Sequence, residues 1–361
     1  MKFFSFFLVF AYNIFNIQIA SIIYLFYFVK NYFLDHSALT IKYSMSLFLF
    51  CLFAIWVTIS TFIFALEAGY FDFRCFYKYL FVYFFLILIL PIKLNETKFE
   101  LLIYRFSVLL SAMIVILFIY FYLFQREFLL NGILTKLWAA GYIPGWPNSV
   151  PVPLLFGLWI SFRNKFSLVG KFLIYVAIFM TFSRAGLVGA FMITSFYIYA
   201  YKLKHIKSLK YPVICLVMFC FVFVLINFES ELADKFYYTD RADVFNFTIS
   251  YIKNRPFLGY GGNTLDQLNH IDTGYTPLLP WSHAHNWILE MSLRYGVVGG
   301  SLFFMYMMSV FIKIQSVEKK VMFAILLFLA IFQTFMQEFV YLFFLSYLAK
   351  ESNNISSKNL R

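Results

Sequence analysis

Long apolar runs separated by short basic stretches dominate the chain. A helix needs about twenty apolar residues to cross a bilayer, fewer where it packs against neighbours. The runs at 44–66, 75–92, 100–124, 154–162 with a few preceding residues, 212–227 and 287–312 each predict one crossing. Three further runs, 3–29, 171–201 and 321–348, are too long for one comfortable crossing. Each carries polar residues near its middle: Asn13, Asn16 and Gln18 in the first, Ser183 and Arg184 in the second, Gln333, Gln337 and Glu338 in the third. Basic residues flank both ends of each, and because Lys and Arg mark the cytoplasmic side, each run is expected to go out and come back as a short hairpin. The sum is an all-α polytopic membrane protein of about twelve crossings with both termini inside. It forms a single integral membrane domain over 1–361, with one long extracytoplasmic loop at 228–285. The opening Lys2-Phe3-Phe4 segment lacks a small-residue cleavage site, so it is expected to be a retained membrane segment rather than a signal peptide.

Composition agrees with the pattern. The chain is 63% hydrophobic, 24% aromatic and only 13% charged, and its mean hydropathy is +0.80, well outside the range of soluble domains. The net charge of +12 would suggest a polyanionic partner in a soluble protein. Here the basic residues lie in the short loops, where they set orientation, and no nucleic acid is needed to account for them. The 52 Phe and 27 Tyr serve as lipid-facing and core filler. Cys51, Cys75, Cys215 and Cys220 show neither metal-ligand nor disulfide-framework spacing and are expected to be small packing residues.

Against this background the segment 238–300 is unusually polar and contains three of the five histidines. Arg241 opens the stretch RADVFNFTISYIKN, whose apolar residues Val244, Phe245, Phe247, Ile249 and Ile252 predict a short helix lying against the membrane surface. Asp240 beside Arg241 allows a purely local ion pair. Arg255 and the glycines at 259, 261 and 262 follow as a helix stop and turn, without the spacing of a phosphate-binding loop. His283 and His285 precede an apolar helix, and Asn286 stands where a helix cap is expected. A histidine there can take a proton from a hydroxyl near neutral pH. His-x-His could also ligate a metal, but no carboxylate or thiolate partner lies nearby in sequence. The glycines after Tyr295 are expected to bend this helix and permit close packing. Arg184, in TFSRAGLVGA, is either an interfacial cation that snorkels to water or a fixed cation for an anionic substrate; its planar fork can hold two phosphate oxygens at once.

In this order, TFSRAGLVGA, RADVFNFTISYIKNRPFLGYGGN and HAHNWILEMSLRYGVVGG resemble the O-antigen polymerase and O-antigen ligase family over roughly 174–300. These are bacterial multispanning glycosyltransferases that use undecaprenyl-pyrophosphate-linked glycans. The resemblance implies a GT-C-like fold and metal-independent, inverting glycosyl transfer, with no cofactor, on the periplasmic face of the inner membrane. It implies that Arg184 and Arg241 bind the donor pyrophosphate and that His285 activates the acceptor hydroxyl. Ser183, Arg255, His283 and Asn286 would be supporting residues. The partners implied are the lipid-linked oligosaccharide donor, a glycan or lipid A-core acceptor and the bilayer itself, with chain-length regulator and flippase proteins as candidates. The same residues serve a repeat-unit polymerase and a ligase. A lipid-linked oligosaccharide flippase is the rival from another class, although the two related halves common in transporters are not visible in the sequence.

Overall fold

The structure is a computed structural model that describes residues 45–69, 96–124, 150–181, 183–200, 241–263, 268, 284, 286–330, 344–345 and 347–348. No strand occurs among the described residues. The helices are α1 (Met45–Ala68), α2 (Glu96–Phe124), α3 (Pro151–Arg163), α4 (Leu168–Met180), α5 (Arg184–Ile198), α6 (Arg241–Asn254), α7 (Trp287–Lys313) and α8 (Val317–Ala330). Three of them, Met45–Ala68, Phe99–Phe124 within α2, and Trp287–Lys313, are long and apolar enough to cross a membrane. Pro151–Arg163, Leu168–Met180 and Ala185–Ile198 are shorter apolar helices. The runs expected at 3–29, 75–92 and 212–227 lie outside the described residues, as does the centre of the run at 321–348. The described residues fall into two compact units, 1–94 with 239–361, and 95–238.

In the second unit α3 is the centre. Every residue from Pro151 to Ser161 is buried, which requires neighbours on all sides, and α2, α4 and α5 supply them. Pro151 and Pro153 are tolerated because they lie in the first turn, where backbone N–H groups have no intrahelical partner. Close approach of α2 depends on Gly157, since a Cβ there would overlap the Ser107 side chain. The Ser107 hydroxyl donates to the carbonyl of Pro153 at 2.8 Å. At the other end of α3, Arg163 pairs with Glu100 and Asn164 donates to the same carboxylate at 2.8 Å. Ser167 then caps α4 through the Gly170 N–H at 3.3 Å.

The run at 171–201 is a hairpin, as expected. α4 ends at Met180, α5 starts at Arg184, and a Tyr175–Thr194 hydroxyl contact joins their flanks. Tyr175 precedes the turn and Thr194 follows it, so their contact folds α5 back along α4.

In the first unit α1 and α7 are antiparallel partners. Contacts descend in register from Ser46–Ser309 at 3.0 Å through Phe50–Tyr306 and Phe53–Phe303 to Trp56–Tyr295. One face of α1 is buried at Phe50, Phe53, Val57 and Phe64, while Phe48, Ile55, Ile59, Phe62 and Leu66 are exposed. A helix apolar on its exposed face as well suits a lipid environment. Cys51 is exposed rather than packed in the core as expected; the other three cysteines lie outside the described residues. Lys319, expected as one of the basic markers of a cytoplasmic loop, is 2% exposed and its ammonium lies over the Tyr347 ring.

Candidate functional site

α6 begins at Arg241 and runs to Asn254, so the helix expected from the sequence is present. Its inward stripe is Val244, Thr248 and Tyr251, all buried, the i, i+4, i+7 spacing of one helix face. These residues join Phe64, Tyr260, Leu268, Ala284 and Leu293, with Phe247, Ile252 and Leu289 packed alongside. The helix packs on α7, and its buried positions include Thr248 and Tyr251, polar and aromatic residues absent from the apolar set read in the sequence. Phe245 stays outward at 45% exposure. Thr248 can be buried because its hydroxyl donates to the Val244 carbonyl at 2.7 Å.

After α6 the glycine turn folds back into α7. The latter is broken at Gly296, whose φ of 68° and ψ of 177° are not helical. Within an apolar span each freed backbone group needs a partner, and specific donors and acceptors meet several of them. Trp56 Nε1 donates to the Tyr295 carbonyl at 2.8 Å. The Tyr260 N–H reaches the carbonyls of Leu293 at 3.1 Å and Arg294 at 2.9 Å, and the Val297 N–H donates to Pro256 O at 2.7 Å. Gly259 and Gly296 make this docking possible: a Cβ on Gly259 would lie 2.6 Å from the Arg294 carbonyl carbon, and one on Gly296 would overlap the Phe257 carbonyl. The Ser60 hydroxyl fastens the turn from α1 through Leu258 O at 2.5 Å.

Arg255 lies at the start of this turn. Its guanidinium is 2.5 Å from Glu67 Oε2 and stands over the rings of Phe64 and Tyr260 at 5.1 and 5.4 Å. It thereby ties the turn to the end of α1, a task that requires no ligand.

Both arginines expected to meet a pyrophosphate are the first residues of helices, Arg184 of α5 and Arg241 of α6. Their side chains lie outside the described residues, as do His283 and His285. Ser183 is the N-cap of α5, accepting the Gly186 N–H at 3.2 Å, and Gly186 lies against Pro151, so α3 and α5 begin at the same end of their unit. The N-terminus of a helix leaves N–H groups free and carries a partial positive charge, conditions that favour a phosphate. Asn286 caps α7, accepting from Ile288 N at 2.9 Å and Leu289 N at 3.2 Å, the role expected of it on structural grounds.

Two residues of this region were not singled out in the sequence. Glu290 and Arg294 form an ion pair on the first part of α7, and both are essentially inaccessible, at 1% and 0% exposure. Glu290 Oε2 accepts the Ala284 N–H at 2.8 Å, and Arg294 donates to Gly262 O. The pair thus links the His-x-His segment to the glycine turn. Its legible signal was Glu followed four residues later by Arg, a spacing that places the two on one helix face.

Residues 169–304 match the O-antigen ligase family model. Over this segment the chain is similar to that family. The O-antigen ligase match takes in α4, α5, α6 and the broken part of α7, hence all three motifs on which the resemblance was read. No curated protein and no solved structure matches the chain.

Proposed function

We propose that the chain is a surface-polysaccharide (O-antigen) polymerase of the bacterial inner membrane. It joins undecaprenyl-pyrophosphate-linked repeat units by inverting glycosyl transfer that needs no metal, on the periplasmic face of a GT-C-like bundle of about twelve crossings. The observation that carries the reading is the O-antigen ligase match over 169–304, which holds the Ser-Arg hairpin, the Arg-led helix and the His-x-His-Asn segment in one order.

In this reaction the acceptor hydroxyl oxygen attacks the anomeric carbon. The bond from that carbon to the pyrophosphate oxygen breaks, and the lipid pyrophosphate leaves with the electron pair. His285 takes the hydroxyl proton, a task suited to an imidazole near neutral pH. Arg184 and Arg241 hold the pyrophosphate and stabilise the charge that grows on it as the bond breaks. Their positions at the starts of α5 and α6 support this role, because the helix ends add backbone donors to the guanidinium charge. Ser183 and Asn286 support the site by capping α5 and α7.

Ligation of the glycan to lipid A-core is the second reading, favoured by the description of the matched family. Deleting the gene and resolving the surface glycan by size separates the two. Core capped by a single repeat unit supports the polymerase; bare core with polymer accumulating on the lipid carrier supports the ligase. An unchanged glycan ladder removes both from consideration. In the same strain, His285→Ala should abolish transfer and leave lipid-linked donor on the outer leaflet. Loss of the outer-leaflet donor instead would indicate a flippase.

A further inference from the structure

We propose that Glu290, held in place by Arg294, is a positioning residue for His285, fixing the His-x-His backbone through the Ala284 N–H. The proposal rests on the reading of His285 given above. It begins from how the residues flanking His285 are held. Ala284 is buried and its N–H donates to Glu290 Oε2 at 2.8 Å. Asn286 is fixed on the other side, capping α7 and accepting the Glu290 N–H through its own carbonyl at 2.8 Å. Both neighbours of His285 in the chain are thus tied to the first turn of α7.

The chemistry explains why a carboxylate is used. Its two oxygens act as acceptors at once: Oε2 takes Ala284, while Oε1 takes Arg294 Nε at 2.7 Å and Nη2 as well. Glutamine has one such oxygen, and its amide nitrogen would face another donor. Arg294 continues the chain of bonds to Gly262 O. Stability alone does not account for the pair, since a buried ion pair is often matched or bettered by apolar residues of similar volume. An apolar pair cannot accept the Ala284 N–H. That bond is the specific contribution of Glu290, and it sets the register of the segment from which a general base must reach its proton.

Two double variants isolate it. Glu290→Leu/Arg294→Met and Glu290→Gln/Arg294→Met both remove the buried charges and the Gly262 bond, but only the glutamine variant retains an acceptor for Ala284. Purified protein in lipid nanodiscs is assayed for binding of undecaprenyl-pyrophosphate-linked repeat unit and for its turnover. The leucine variant is expected to bind donor with wild-type stoichiometry and affinity while turning over about 10–100-fold more slowly than the glutamine variant. Equal turnover by the two variants overturns the proposal. Hydrogen exchange on the wild-type protein tests the bond without any substitution: the Ala284 amide should be strongly protected, and exchange at the rate of a free amide overturns the proposal. If neither variant binds donor, that measurement decides alone. His285→Ala, assayed in parallel, tests the underlying reading separately, because full turnover in that variant removes His285 from the chemistry whatever the Glu290 variants do.

Discussion

Gly296→Ala should be among the most damaging single-methyl additions in the first unit. The residue has φ 68° and ψ 177°, a region nearly restricted to glycine, so the strain alone costs about 1–3 kcal/mol. The new Cβ would overlap the Phe257 carbonyl and lie 2.8 Å from Leu258 N. Both are backbone atoms, which cannot rotate aside. Relief requires the glycine turn to withdraw from α7, and this loosens the Val297–Pro256 bond and the bonds from Tyr260 N to Leu293 and Arg294. Two buried backbone donors losing their partners add roughly 1–3 kcal/mol each. A total of about 3–9 kcal/mol is expected, a large part of a typical folding free energy. Gly69→Ala supplies the control: Gly69 also has positive φ, at 63°, but nothing lies within 4 Å of its added Cβ. That change should cost only about 1–2 kcal/mol. Reversible unfolding of both variants in mixed micelles measures the difference. If Gly296→Ala is no less stable than Gly69→Ala, the docking of the turn into the break is wrong.

Asn286→Ala should lower stability by about 1 kcal/mol through loss of the α7 cap, and Asn286→Ser should recover most of it; equal stability of the alanine and serine variants in the same unfolding assay would refute the cap. Gly157→Ala should cost roughly 1–3 kcal/mol by forcing α2 from α3 at Ser107. Adding Ser107→Gly should return part of that loss, and a strictly additive double variant would refute the contact.

The Ser183–Arg184 hairpin was legible because a cap and a cation interrupt an apolar run too long for one crossing, a purely local signal. The cap at Asn286 and the bend after Tyr295 were legible for the same reason. The inward face of α6 was only half read: Val244 was on the apolar list, but Thr248 and Tyr251 were not. Their burial depends on hydrogen bonds to Val244 O and on packing with Tyr260, which a hydropathy pattern cannot register. Glu290 and Arg294 looked like ordinary charges at the start of a helix. Their burial depends on Ala284 and Gly262, reached only after the chain has folded back. Arg255 likewise could be counted as a free positive charge until Glu67 came within reach.

The break at Gly296 also imposes an order of assembly. Its freed carbonyls are met by Trp56, made 239 residues earlier, and by Tyr260 in the glycine turn, also made before α7. When Tyr295 leaves the ribosome, both partners already exist, so the second half of α7 can enter the bilayer with its defect covered. A rearranged gene that encoded α7 ahead of α1 and the turn would deliver the same helix to the membrane with uncapped carbonyls at its bend. It would then depend on a chaperone or on water to hold it until its partners arrived.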